Sequence, residues 1–159
     1  MLIPRVYIET SIPSFYCTTR PDPESVARKN WTQHWRDFKR EGCEVYTSEA
    51  VIEELGRGDY PTQAAALSLI GGVPLLTIEP AIWEIVRTYT RHFLMPAHPA
   101  GDALHLALAS YYNCDFLLTW NCEHLANANK FPHIRRVNSM LGLFIPSLVT
   151  PLELLGGGP

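Results

Sequence analysis

The stretch Asp102–Tyr112 constrains the fold most strongly: it has a helical makeup and is apolar on nearly every side, so it has to be buried. A helix with no solvent face needs protein on both flanks. The residues that follow at once, Asp115-Phe116-Leu117-Leu118-Thr119, read as a buried strand. This alternation runs through the chain. Arg5-Val6-Tyr7-Ile8 is a short β-type run stopped by Glu9-Thr10-Ser11 and Pro13, and Glu44-Val45-Tyr46-Thr47 is a second strand. Ser48 caps a helix running to about Arg57, and a further helix spans Thr62–Ile70 before Gly71-Gly72. Val73–Ile78 is a strand in which Pro74 marks the start or an edge. Strands separated by helices predict an α/β fold: a central parallel β-sheet with helices on both faces, three layers in all.

The remaining helices are amphipathic. Asp22-Pro23-Glu24 is a helix start, with a capping carboxylate, proline in the first turn and an acid near the positive dipole end. The helix behind it carries Ala27, Trp31, Trp35 and Phe38 at helical spacing and ends at Gly42; Arg28, Lys29, Arg36, Lys39 and Arg40 lie on its other faces. Glu79–Phe93 sets Ile82, Ile85, Val86, Tyr89 and Phe93 on one face, and the Pro96–Pro99 break follows. A last helix around Ile134–Leu143 leads to the strand Leu148-Val149-Thr150. Residues 1–155 are expected to form a single domain, with Gly156-Gly157-Gly158-Pro159 as a flexible tail.

Composition narrows the function. A length of 159 residues suits one domain, and 47% hydrophobic against 18% charged residues supplies a core. With 13 Lys and Arg against 16 Asp and Glu, the net charge of −3 argues against a polybasic nucleic-acid binder. A nucleic-acid enzyme stays possible, because a divalent cation can supply positive charge locally. The opening Met1-Leu2-Ile3-Pro4-Arg5 lacks the pattern of a secretory signal, and no run reaches the ~18 apolar residues of a membrane span. Cys17, Cys43, Cys114 and Cys122 lie apart in apolar stretches and are expected to be reduced core thiols of a cytoplasmic protein.

Sites in an open parallel sheet form at the carboxyl edge of the strands. Glu9 and Asn121 both follow strands and fall at that edge, while Asp102 occupies the first turn of the buried helix. On the helix after Ser48, Glu54 lies roughly 105° from the centre of the Val51/Ile52/Leu55 face and Glu53 roughly 150°. Glu54 therefore borders the core and Glu53 faces water. Three converging carboxylates repel one another and drive at least one pKa upward. A hard divalent cation relieves the repulsion and suits phosphodiester hydrolysis. Taken singly, each residue also has a plain structural role: Asp102 at a helix start, Glu9 in a turn, Glu54 on a helix flank, Thr10 and Ser11 as caps, Asn121 as a turn residue.

In its order, this set resembles the PIN-domain family, specifically the VapC-like toxins of toxin–antitoxin pairs. The resemblance runs from Val6-Tyr7-Ile8-Glu9-Thr10-Ser11, through Glu54-Leu55, Gly101-Asp102-Ala103-Leu104-His105-Leu106-Ala107-Leu108-Ala109 and Leu117-Leu118-Thr119-Trp120-Asn121, to Val149-Thr150-Pro151-Leu152-Glu153-Leu154-Leu155. It implies a Mg²⁺- or Mn²⁺-dependent endoribonuclease that cleaves RNA, is neutralised by a cognate VapB-like antitoxin and forms a homodimer. By position, Glu9, Glu54 and Asp102 would hold the metal, directly or through water. Asn121 would fill the fourth polar position, and Thr10, Ser11 and Thr119 would support the ligands from behind. Glu9 stands where the family usually has aspartate, and Asn121 where it often has aspartate. With Mg²⁺ bound, the three carboxylates leave a formal −1.

Other groupings point elsewhere only weakly. Cys114, Cys122, His124 and His133 lack the paired short loops of a structural zinc site. His92, His98 and His105 read as core or surface histidines. The basic stripe after Asp22 could track a phosphate backbone or be a solvated face, and Trp31 and Trp35 read as core or interface anchors. Trp120, beside the acidic set, is the candidate for stacking on an unpaired base. Two further readings stand beside the ribonuclease: a PIN-type nuclease acting on DNA, and a catalytically decayed PIN-like interaction module.

Overall fold

The computed structural model describes residues 2–92, 94 and 101–155. Five strands, β1 (Arg5–Ile8), β2 (Glu44–Ser48), β3 (Leu75–Leu76), β4 (Phe116–Leu118) and β5 (Ser147–Val149), form one all-parallel sheet in the order β3-β2-β1-β4-β5. β1 is central: Val6 is in register with Val45 on one side and with Phe116 on the other. The chain winds outward from β1 to β3, then returns to place β4 on β1's far side. The winding therefore reverses between β1 and β4, and the carboxyl ends of those two strands frame the crevice where such sheets bind ligands. β3 is an edge strand, as Pro74 implied, and has only two residues.

Helices cover the sheet: α1 (Ser11–Cys17), α2 (Pro23–Phe38), α3 (Glu49–Leu55), α4 (Gln63–Ile70), α5 (Pro80–Arg91), α6 (Gly101–Tyr111), α7 (Phe131–Leu141) and α8 (Pro151–Leu155), with a 3₁₀ turn at Arg40–Gly42. The three-layer α/β/α architecture expected from the alternation is present. α6 is buried from Ala103 through Ser110, as its all-round apolar sequence demanded. It packs beside β4 and against α5, whose inward face is Ile82, Ile85, Val86 and Tyr89. Phe93, the Pro96–Pro99 break, His98 and the tail 156–159 lie outside the described residues.

Two expectations need correction. The Asp22 carboxylate caps α2 by accepting from the Ser25 N–H at 3.0 Å, but the helix does not bury the stripe read from its sequence. Trp31 and Phe38 are 40% and 73% exposed, Ala27 is exposed, and only Trp35 turns inward, together with Ser25 and Thr32. The helical period fits either face. What selects the inward one is a polar contact, because Thr32 and Arg28 on that face reach the loop after β4. The cysteines also differ: Cys114 alone is fully buried, Cys17 and Cys43 are half-buried, Cys122 is exposed, and all are free thiols. No helix among the described residues is long and apolar enough to cross a membrane.

Candidate functional site

Glu9 is the first residue beyond β1, and its N–H donates to the Leu118 carbonyl at 3.3 Å, so the backbone ladder with β4 runs one step past the strand. This pins its side chain at the reversal of the sheet, 5% exposed. Oε1 accepts from the Ser11 N–H at 2.9 Å, from the Ser11 hydroxyl, and from the Thr119 hydroxyl at 2.7 Å. The Ser11 oxygen in turn accepts from the Trp120 N–H at 2.8 Å, and Thr119 Oγ1 accepts from the Asn121 N–H at 2.9 Å. Ser11 and Thr119 thus lace the ends of β1 and β4 together through one carboxylate oxygen. Among the described residues Oε2 of Glu9 has no partner, and it is not one of the fully buried orphan atoms.

Glu54 arrives from the last turn of α3 and is half-buried, whereas Glu53 is exposed, as the helical phase predicted. Thr10 occupies the cap position of α1 but makes no cap; its hydroxyl donates to Glu54 Oε2 at 2.5 Å. Glu54 Oε1 accepts from His105 Nε2 at 2.9 Å. A Cβ on Gly101 would stand 2.8 Å from that same oxygen, so glycine here makes the room that the carboxylate occupies. Behind the pair, His105 Nδ1 is 2.7 Å from the Tyr7 hydroxyl, which is 2.8 Å from Ser48 Oγ. Ser48 spends its side chain on Tyr7 and does not cap α3 with it.

Asp102 stands in the first turn of α6, half-buried, with Oδ1 accepting from Asn121 Nδ2 at 3.0 Å. The other end of the Asn121 amide accepts from the N–H groups of Glu123 and His124 at 3.2 and 3.1 Å. Asn121 therefore caps the turn after β4 and holds Asp102 in one motion. An aspartate could accept from both N–H groups but could not donate to Asp102. This geometry explains the amide where the family resemblance anticipates an acid.

The three carboxylates titrate differently. Burial pushes Glu9 up, against the lowering influence of the His105 charge and the Ser11 and Thr119 donors. Burial also pushes Asp102 up; His105, His124 and Asn121 oppose this, and the Glu54 charge adds to it. Glu54 goes the other way: burial raises it, but the hydrogen bond and charge of His105, the Thr10 hydroxyl and Arg57 together hold it below the usual range. His105 is the counterpart. Burial disfavours its charged form, but Glu54, then Glu9 and Asp102, raise it above an ordinary histidine.

His105, which reads from the sequence as a core or surface histidine, is the buried basic group paired with Glu54, and its pKa is raised above that of an ordinary histidine. The available signal was its position one turn after Asp102, on the same flank of the helix. With His105 protonated and the three carboxylates ionised the set carries −2, which a divalent cation would bring to zero.

Trp120 does not offer a face for stacking. It is 7% exposed, with Nε1 donating to Thr32 Oγ1 at 2.7 Å, Phe15 edge-on at 6.3 Å and the Arg28 guanidinium 5.2 Å over its ring. It fastens α2 to the loop that carries Thr119 and Asn121. Of the basic stripe, Arg28 is drawn into this cluster and also pairs with Glu24 at 2.8 Å.

Among the described residues, no three His, Cys, Asp or Glu side chains are grouped as they would be around a bound metal ion. The sequence set Cys114, Cys122, His124 and His133 is accordingly not assembled. The acidic residues nevertheless fit a hard cation in their donor chemistry. Mg²⁺ takes one or two direct carboxylates and fills the rest of its shell with water. Glu9 and Asp102 each keep one oxygen without a partner among the described residues, and both have pKa values raised by burial that their neighbours offset only in part. Glu54, engaged at both oxygens, suits a contact through water. No family model matches the chain, and no curated protein matches it closely enough to count as a relative.

Proposed function

We propose that the chain is a divalent-metal-dependent endoribonuclease of the VapC-like kind, hydrolysing RNA phosphodiester bonds in the crevice between β1 and β4. One observation carries the reading. Three carboxylates from three different elements are linked at the carboxyl edge by hydrogen bonds, Glu54 through Thr10 and Asp102 through Asn121 and Thr119 to Glu9, without closing into a metal cluster, and Glu9 and Asp102 keep a free oxygen and a raised pKa. Such a set is costly to the apo protein and is relieved by a cation.

Glu9 and Asp102 would hold Mg²⁺ or Mn²⁺ through Oε2 and Oδ2, with Glu54 in contact through water. When bound, the cation supplies charge stabilisation at the phosphate and a more acidic water. The chain's own residues fix the rest. Ser11 and Thr119 immobilise Glu9 from one side, so its remaining oxygen has a set direction. Asn121 does the same for Asp102, leaving its Oδ2 with a set direction toward the cation it would hold. His105 and Thr10 keep Glu54 ionised and stationary. The reading brings with it a VapB-like antitoxin as protein partner, a homodimeric state and a cytoplasmic setting.

Thermal unfolding with and without excess Mg²⁺ or Mn²⁺, for wild type and Asp102→Asn, tests the metal site. At ~100 times Kd the expected gain is about 2.7 kcal/mol in wild type, much reduced in the variant. Cleavage of single-stranded RNA by wild type and not by the variant completes the case, and a matched DNA panel separates the DNA nuclease reading. The interaction-module reading draws on the two occupied oxygens of Glu54 and the absence of a preformed metal cluster among the described residues. RNA binding with neither a metal-induced shift nor cleavage would establish it in place of the enzyme.

A further inference from the structure

We infer that the cleft between the end of α1 and the loop joining α3 to α4 is a nucleotide subsite. It takes the ribose, base and phosphate of single-stranded RNA next to the reacting phosphodiester. The inference rests on the ribonuclease reading above and deepens it.

The cleft holds about 350 Å³. That lies within the roughly 300–1,000 Å³ typical of small-ligand sites. Its two walls are tied to the two ends of the Thr10–Glu54 hydrogen bond. On one wall, Ser14 stands one helical turn beyond Thr10, its N–H on the Thr10 carbonyl at 3.3 Å. A turn advances about 5.4 Å, so the cleft opens one step away from the acidic centre. On the other wall, the Tyr60 hydroxyl donates to the carbonyl of Leu55, the neighbour of Glu54, at 2.7 Å.

The lining chemistry selects the occupant. Arg20 is the one charged residue around the cleft, no carboxylate lines it, and Arg20 forms no ion pair among the described residues. Its nearest electrostatic partner is Asp22, which caps α2 and is not in an ion pair with it, so the guanidinium is left to grip a phosphate with two parallel N–H groups. The hydroxyl-bearing residues Ser14, Thr18, Thr19 and Thr62 line the same cleft, with Thr18 Oγ1 accepting from the Arg20 N–H at 3.3 Å. These groups both donate and accept, as the ribose 2′-hydroxyl does, and that group is what distinguishes RNA from DNA. Tyr60 and Phe15 supply ring surface. The Tyr60 hydroxyl is already satisfied by Leu55, and Phe15 is backed by Arg28 at 5.3 Å, so both rings are held still for a base. Ring surface beside a single guanidinium, in a cleft of this volume, suits a base with its phosphate better than a wholly apolar segment.

The test is binding of a short labelled single-stranded RNA of mixed sequence to the full chain in EDTA, where cleavage cannot consume it, across a salt series. Arg20→Ala is expected to weaken binding about tenfold. It should also flatten the slope of log affinity against log salt by about 0.7, the loss of one phosphate contact on a single strand. Arg20→Lys should restore the slope, and Thr18→Val with Thr62→Val should bring RNA affinity down toward that of the matching DNA. Unchanged melting temperatures show that the variants fold. Wild-type and Arg20→Ala protein binding RNA equally, with the same slope, would overturn the subsite while leaving the nuclease reading intact. DNA bound as tightly as RNA by wild type would also overturn it. A wild type that neither binds RNA nor cleaves it with Mg²⁺ or Mn²⁺ would remove both.

Discussion

Glu9, just past β1, and Glu54, on α3, are glutamates of one site, and the protein treats them oppositely. Glu9 is laced by neutral donors, the hydroxyls of Ser11 and Thr119 and one backbone N–H. Glu54 is held by a hydroxyl and an imidazole. Burial disfavours the Glu9 charge, the His105 charge and the neutral donors offset that only in part, and Glu9 remains easier to protonate than usual. An imidazolium supplies a counter-charge, and Glu54 remains ionised. The same side chain is thus only partly compensated at Glu9 and directly paired at Glu54. The partly compensated pair, Glu9 with Asp102, is where a cation has most to gain.

The comparison is most sharply tested by activity. Replacing a partner that only supports a metal ligand typically costs 10–100-fold, so Asp102→Asn, which removes a direct ligand, should lower RNA cleavage by more than ~100-fold. The apo protein should not lose stability from that change, because it removes an anion with a raised pKa. A steady-state cleavage assay beside an apo melting curve checks both halves. An Asp102→Asn protein that still cleaves at the wild-type rate would break the assignment.

The second effect is on stability, and its sign differs between the two glutamates. Glu54→Gln leaves His105 buried without its charge partner and should cost about 1.5–3 kcal/mol, the range for hydrogen bonds to charged groups. Glu9→Gln keeps the shape, removes an unsettled charge and should leave the apo protein at least as stable at neutral pH. Urea unfolding of the two variants side by side decides this. Equal losses would mean that the imidazole does not set the difference.

The third effect is pH dependence. Glu9 and Asp102 have folded pKa values above their unfolded ones, so the native state binds the extra proton. Their contribution is full at low pH and is lost as pH climbs from about 4 through those raised values. Glu54 is depressed, so its contribution is present above about pH 4.3 and is lost as pH falls through its folded value. His105 is raised, so its contribution is full below about pH 6.5 and fades as pH rises past its folded value. Glu54→Gln should therefore flatten the alkaline decline of apo stability, and Glu9→Gln should flatten the decline at lower pH. Unfolding free energies measured across the pH range separate the two.

Much of this site could be read from the chain because its members are marked locally. Glu9 and Asn121 follow strands, Asp102 opens a helix, and Glu54 is singled out from Glu53 by helical phase. His105 carried no such mark. Its partners Glu54 and Tyr7 lie 51 and 98 residues away, and inside Ala103–Ser110 it reads like any core histidine. The inward face of α2 differs from its apolar stripe for a related reason. Trp31 and Phe38 satisfied the apolar periodicity, but Thr32 and Arg28 had unseen partners around Trp120, and those contacts turned the helix. Apolar spacing announces that a helix has a buried face; it is silent on which face when a polar contact competes.

The smallest effect concerns Trp120. A residue that stacks on a base loses about 1–3 kcal/mol of nucleic-acid affinity when its ring surface is removed. Trp120 instead faces Phe15, Arg28 and Thr32, so its contribution belongs to folding. Trp120→Phe keeps an aromatic ring and deletes the Nε1–H donor to Thr32, and should cost about 0.5–1.5 kcal/mol of stability. Thr32→Val removes the same bond from the other end. If one hydrogen bond is all that both changes touch, the double variant should be less destabilised than the two single losses added together. RNA affinity should stay at the wild-type value in all three. Weakened RNA binding in Trp120→Phe alone, with stability unchanged, would return the ring to the binding surface and show that the loop after β4 opens when RNA arrives.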